Sequence, residues 1–297
     1  MESVLIVGCG HIGQRVAVLL RARDQRVTGV VRSPASVREL HALGLDALSL
    51  DLDADAPHIT GLWGYGGVCY FAPPPFTGTQ DTRLRGFLEA LDESSLPRRI
   101  VYISTSAVYG DCHGHWITEE QPVRPTTERG VRRLDAERRL QAWAAQHGVE
   151  WVVLRVPGIY GPGKLPLERL RAGLPVLREV DAPYTNRIHA DDLAAICVAA
   201  LDSEHHDTAY NVSDGHPSTM TDYFYRVADA AGLPRPPVVS REEAQQVLSE
   251  GMLSFLQDSR RMDNRKLLRE LAVSLRFPDL EVGLRSCFAQ RSGSNTT

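Results

Sequence analysis

The chain has few of the features that would mark a secreted, membrane or nucleic-acid-binding protein. Its five cysteines (Cys9, Cys69, Cys112, Cys197 and Cys287) are odd in number and scattered among 297 residues, with no Cys-x-x-Cys pair. That pattern argues against a disulfide scaffold and for a reducing, cytoplasmic compartment. No apolar run approaches the ~18–20 residues of a membrane span. The short run Val4-Leu5-Ile6-Val7 passes at once into Gly8-Cys9-Gly10-His11, without the length or cleavage site of a signal peptide. A net charge of −4 gives no reason to expect nucleic acid or an anionic membrane as partner. Internal repeats, low-complexity tracts and a Gly-x-Ser-x-Gly nucleophile elbow are also missing. What remains is a globular chain acting on a small molecule.

Short β-like runs at 4–7, 26–31, 47–50, 67–71, 99–104 and 150–156 alternate with longer helical stretches. This is the pattern of a doubly wound parallel sheet of Rossmann type, an α/β fold with helices on both faces. Ser33, Pro34 and Gly44 punctuate a second helix as cap, first residue and stop. A longer helix is expected over about 127–146. Its arginines Arg132, Arg133, Arg138 and Arg139, interleaved with Asp135 and Glu137, read as a solvated face. Beyond Gly158, proline and glycine become frequent and the pattern turns mostly helical. The expected organisation is a dinucleotide-binding core at 1–157, and a mixed region at 158–289 that completes the core and forms a smaller C-terminal substrate-binding lobe. A frayed polar tail at 290–297 completes the chain.

Gly8-x-Gly10-x-x-Gly13 stands between the first strand and its helix. The first glycine suits a tight turn, the second lets backbone approach a pyrophosphate, and the third lets helix pack closely on strand. His11 and Ile12 lie inside this turn and count with it as cofactor-binding. The residue ending the second strand selects the cofactor, because an acid there would accept from the adenosine ribose of NAD. Here the chain reads Val30-Val31-Arg32-Ser33, with no acid. Arg32, helped by the Ser33 hydroxyl, suits the 2′-phosphate of NADP, with NAD as the alternative. Asp51 and Leu52 follow the third strand, where a carboxylate can accept from adenine. Ala72, Pro73 and Pro74 begin a stiff loop after the fourth, at the edge where such folds bind ligands.

Further motifs follow in order. They are Ile103-Ser104-Thr105-Ser106-Ala107-Val108-Tyr109-Gly110, Thr118-Glu119-Glu120-Gln121-Pro122, and Leu154-Arg155-Val156-Pro157-Gly158-Ile159-Tyr160-Gly161-Pro162-Gly163. Arg187-Ile188-His189-Ala190-Asp191-Asp192-Leu193 and Tyr210-Asn211-Val212 complete the series. Together they resemble the extended short-chain dehydrogenase/reductase family, the NAD-dependent epimerase/dehydratase-like proteins, in an atypical form. The resemblance implies that Thr105 handles the reacting oxygen, that Tyr109 belongs to the pocket, and that Pro157 lies beside the nicotinamide. It also leaves room for a homodimer.

The family's Tyr-x-x-x-Lys helix dyad is replaced. Aligned on Gly130, Leu134 and Glu137, Arg129 stands for the tyrosine and Arg133 for the lysine. Arginine does not give up its proton, so Arg129 can stabilise negative charge but cannot act as a general base. Arg133 can still reach the nicotinamide ribose. A literal Tyr160-Gly161-Pro162-Gly163-Lys164 contains two glycines and a proline, which a helix would not tolerate, and is read as a loop. Asp111, Cys112, His113 and His115 are ligand types at the wrong spacing for zinc, and no metal site is expected. The expectation is an NADP(H)-dependent oxidoreductase, or epimerase/dehydratase-like enzyme, for a small polar or nucleotide-sugar-like substrate. Its rival is an NADP(H)-binding sensor or scaffold without turnover.

Overall fold

Alternation in the first strand already demands two covered faces, since every residue from Val4 to Val7 is buried. In the computed structural model, which describes residues 3–54 and 64–289, that strand is β1 (Ser3–Val7). It is followed by α1 (His11–Arg21), β2 (Arg26–Val31), α2 (Pro34–Ala42), β3 (Asp46–Ser49), β4 (Gly67–Tyr70), α3 (Thr82–Glu89), β5 (Arg99–Thr105) and α4 (Glu128–His147). Strands Glu150–Val156 and Thr208–Asn211 complete one seven-stranded sheet. Reading across it, the order is Thr208–Asn211, Glu150–Val156, β5, β4, β1, β2, β3, and all six pairings are parallel.

Val4 and Ile6 pack on one side with Val16 and Leu20 of α1 and with Leu193 and Ile196 of the helix Ala190–Asp202. Leu5 and Val7 pack on the other with Leu84 and Phe87 of α3 and Ala136 and Leu140 of α4. This is the doubly wound arrangement read from the alternating runs. The strands expected at 26–31 and 150–156 have those bounds, three others differ by one residue at one end, and the one expected at 47–50 is shifted by one residue to Asp46–Ser49. The seventh strand, Thr208–Asn211, was expected only as part of a motif. Ser33 caps α2, accepting from Ser36 N, with Pro34 as its first residue. The tail expected at 290–297 lies outside the described residues.

The arginine-rich face of α4 requires a correction. Of its four arginines only Arg138 is exposed. Arg132 is buried and donates to the Gly78 carbonyl, while Arg133 donates to Tyr102 Oη and to the Ile103 carbonyl. Glu137 is no surface partner either. It is 1% exposed and pairs with Arg155 at 2.8 Å, and it accepts from Ser104 Oγ. Arg155 also donates to Tyr109 Oη, which in turn donates to Asn211 Oδ1. One buried ion pair thereby joins α4, β5, Glu150–Val156 and Thr208–Asn211.

A third apolar cluster lies beyond the sheet. Tyr223, Phe224 and Val227 of the helix Met220–Ala231 meet Tyr160, Leu170, Leu280 and Leu284. Among the described residues no helix is long and apolar enough to cross a membrane.

Removing one partner of a buried pair strands a charge, which costs about 3–5 kcal/mol. Glu137→Ala is therefore expected to lower unfolding stability by that amount in urea titration. The double variant Glu137→Leu/Arg155→Met should recover most of the loss, because neither charge is then left alone. A single variant within 1 kcal/mol of the wild type would show that the pair does not hold these elements.

Candidate active site at the carboxyl edge of the sheet

The strand order reverses between β1 and β4, and the site opens at their carboxyl ends. Each glycine of the turn has its own reason there. Gly8 has φ +86°, and a Cβ would lie 2.6 Å from Ala72 N. A Cβ on Gly13 would meet Ile6 Cγ2 at 3.0 Å, whereas one on Gly10 meets nothing within 4 Å. The turn is drawn onto the sheet by Gly8 N and Cys9 N, which both donate to the Val30 carbonyl at 3.0 Å. Gly10 caps α1 without a side chain, and no acid occupies the first turn. The free N–H groups of the helix start thus face open space, which fits a pyrophosphate.

His11 and Ile12 begin that helix. His11 Nδ1 lies 3.2 Å from Arg15 Nη1, and Nε2 is buried without a partner. Burial, with the Arg15 charge, pushes the His11 pKa down to about 4. Arg15 continues to Asp191 at 2.8 Å, tying the phosphate turn to the helix Ala190–Asp202.

Two cavities open at the carboxyl ends of the strands, one of them on the turn itself. The first, of about 270 Å³, brings together Gly8, Arg32, Asp51, Leu52, Ala72 and Pro73. Ser33 and Pro74 do not line it, since the Ser33 hydroxyl is on the α2 cap. Three unforeseen residues do: Asp53, Arg83 and Phe76. Arg83 grips Asp53 through two contacts of 2.6 Å and donates to the Pro73 carbonyl, fixing the proline loop against the β3 end. The Arg83 hydrogen bonds hold the Asp53 carboxyl below its ordinary pKa. The Arg32 guanidinium makes no hydrogen bond or ion pair with a described residue, while its carbonyl accepts from Ser49 Oγ.

The second cavity, of about 400 Å³, contains Thr105, Arg129 and Pro157. Thr105 Oγ1 accepts from Ala107 N, which leaves its own proton free to donate. Gly130 explains how α4 comes so near, because a Cβ there would sit 2.7 Å from the Ala107 carbonyl oxygen. That approach carries Arg129 to the cavity wall, where its guanidinium lies 4.1 Å from the Phe255 ring centroid. Arg187, Tyr223, Phe255, Asp258 and Arg260 line the cavity and were not foreseen. Arg187 stood inside a quoted motif, but no local pattern distinguished it; the others come from segments with no pattern pointing to a pocket.

Tyr109 does not reach this cavity. It is 1% exposed, its hydroxyl is held by Arg155 and Asn211, and burial pushes its pKa up to about 12. The pocket role implied for it is corrected to a buried hydrogen-bonding one. Arg133 lines neither cavity, being spent on Tyr102 and Ile103. Tyr160 sits in the short strand Gly158–Tyr160 with its hydroxyl on the Asp279 carbonyl, so the literal Tyr-x-x-x-Lys forms no helix face. His113 faces Asp111 at 2.9 Å, and no group of three metal-ligating residues occurs among the described ones.

Residues 79–213 match the model of the NAD dependent epimerase/dehydratase family, and residues 4–57 match the TrkA-N domain. It is 27% identical to Protein YeeZ of Escherichia coli K12 over 289 residues, covering 94% of this chain and 97% of that protein. A 3-diazoavenalumate denitrifying reductase from a Streptomyces species is 25% identical over 300 residues, 95% and 98% of the two chains. Among solved structures, a functionally unknown conserved protein of Silicibacter pomeroyi superposes with a TM-score of 0.85 at 28% identity, covering 98% and 99% of the chains. MoeE5 in complex with UDP-glucose and NAD gives 0.77 at 23% identity over 98% and 99%, which shows the shared fold.

A side chain at Gly10 would project into the open space and meet no protein atom, so Gly10→Val is expected to fold normally. It should abolish dinucleotide binding, followed by NADPH fluorescence or calorimetry. Unchanged affinity in the folded variant would remove the pyrophosphate from this turn.

Proposed function

We propose that the chain is a cytoplasmic NADP(H)-dependent oxidoreductase of the extended short-chain type, acting on a small polar substrate beneath the C-terminal helices. The observation that carries this reading is an uncapped, glycine-lined helix start beside one cavity, with a second cavity at the carboxyl ends of β5 and the strand next to it. One suits an adenosine 2′-phosphate and the other a nicotinamide with its substrate. When bound, the nicotinamide would supply hydride transfer. The reductase and the NAD-bound structure named above support the class of chemistry.

For the cofactor choice, the carboxylates of the smaller cavity are already engaged. Asp53 is held by Arg83, and Asp51 Oδ1 accepts from Asp53 N. Arg32 is the cation left for a phosphate, and its fork suits one. NADPH should therefore bind at least about tenfold more tightly than NADH, a difference of about 1.4 kcal/mol. Arg32→Ala should erase most of that gap, and added salt should narrow it because Arg32 is exposed. Equal affinities for the two cofactors in the unmodified protein would refute the preference.

At the larger cavity, Thr105 is placed to donate to a substrate oxygen and Arg129 to stabilise negative charge on it. Neither can take up a proton at neutral pH. Burial also raises the pKa of Tyr223, which disfavours its phenolate as a base. We expect NADP-linked oxidation of simple alcohols and of UDP-glucose, both of which need a base, to be slow or undetectable in a coupled spectrophotometric assay. Efficient turnover of either would mean that another group moves the proton. The sensor reading draws on the same shortage of a base. Tight NADPH binding with no hydride transfer to any carbonyl or alkene acid offered would favour it.

A further inference from the structure

We infer that the larger cavity takes a compact carboxylate with an aromatic or otherwise apolar body, not a nucleotide sugar. This rests on the cofactor reading above and narrows its substrate. The Arg129 guanidinium has no hydrogen bond or ion pair with any described residue, the Asp258 charge acting on it only from a distance, and its Nε is buried without a partner. Burial works against its charge, lowering its pKa, and the Phe255 ring covers one guanidinium face. A half-buried cation in this condition gains most from an anion arriving at its exposed edge, where the planar fork matches a carboxylate in two contacts.

The other charges of the cavity are already committed. Arg260 pairs with Asp258 at 2.5 Å, and Asp258 Oδ1 accepts from Thr126 Oγ1. Arg187 donates to the Asn186 carbonyl and Met220 Sδ, and lies 4.0 Å from the Tyr223 centroid. Arg187 has no ion pair, but it is buried with Nη1 on the Asn186 carbonyl and Nη2 on Met220 Sδ, so a diphosphate would find on the wall only one guanidinium without a hydrogen bond or ion pair.

Size and lining point the same way. About 400 Å³ is near the lower end of the roughly 300–1,000 Å³ of ligand pockets, and the nicotinamide must share it. Ile159, Met220, Tyr223, Met252 and Phe255 offer apolar or aromatic surface on which a ring can lie.

The test is calorimetric titration of the full chain saturated with NADPH, using benzoate, 4-hydroxycinnamate, their neutral amides and UDP-glucose. At least one acid should bind saturably, with its amide at least tenfold weaker and UDP-glucose weaker than the acid. Arg129→Gln should weaken the acid at least tenfold while NADPH affinity is retained, which also verifies folding, and Arg129→Lys should restore part of the loss. The inference is overturned if neither acid binds the NADPH-loaded protein, if UDP-glucose binds more tightly than both, or if Arg129→Gln leaves acid affinity unchanged. Failure of NADPH itself to bind would instead overturn the cofactor reading.

Discussion

The buried pair of Glu137 and Arg155 fixes the geometry on which the larger cavity depends. Glu137 comes from the middle of α4 and Arg155 from the strand beside β5, so their contact sets the height of the helix above the sheet. Ser104 on β5 and Tyr109 in the turn after it donate to or accept from the same pair. Two unpaired charges at these positions would each cost several kcal/mol, so the elements are held together in one arrangement. The start of α4 then falls against the 106–109 turn, where Gly130 alone permits the approach. Arg129 reaches the cavity because of a carboxylate two helical turns further on.

At the other end of the site, the constraint is steric rather than electrostatic. Gly8 must pass so close to Ala72 that any side chain would collide with backbone, and this sets β1 against the start of the proline loop. Arg83 then pins that loop by its Pro73 carbonyl and reaches across to Asp53. The exposed Phe76, 88% accessible, is left at the rim of the adenosine-side cavity. The two cavities are therefore shaped by separate devices, and Gly8 of the phosphate turn lines the adenosine-side one alone.

Legibility in the sequence followed the range of the interactions. Strands buried on both faces appear as apolar runs: 26–31 is bounded by Gln25 and Arg32, and 150–156 starts two residues after the Gly148 helix stop and ends at Pro157. The Ser33 cap is likewise local, accepting from Ser36 N three residues on, and the glycine turn was legible from its spacing even though its close contacts are to Val30 and Ala72. Arg132 and Glu137 were misread as surface because helix spacing says which residues share a face, not what covers that face. Tyr109 was misplaced for a related reason, since its partners Arg155 and Asn211 are 46 and 102 residues away. Arg83, Arg187 and Arg260 gave no signal at all. Arg83 and Arg260 reach partners in other segments, Asp53 and Gly110, and an arginine in a sequence looks the same whether it is solvated or buried.

The two arginines at the dyad positions show how a helix can keep its spacing and change its chemistry. Residues four apart lie on one face, so Arg129 and Arg133 still point toward the carboxyl ends of the strands. Arg133 is absorbed by the fold, clamping the end of β5 through Ile103 and Tyr102. Arg129 is left with an aromatic ring and no ion pair, the nearby Asp258 being paired with Arg260. A tyrosine beside a cation is a device for exchanging a proton, because its pKa can be brought toward neutrality. An arginine in the same place is a fixed charge that cannot follow the reaction. It can hold an anionic group before and after hydride moves, and it can stabilise charge that builds up on a substrate. Any proton that such a reaction requires must then come from solvent or from the substrate itself, and this favours acceptors whose reduction does not wait on a protein base.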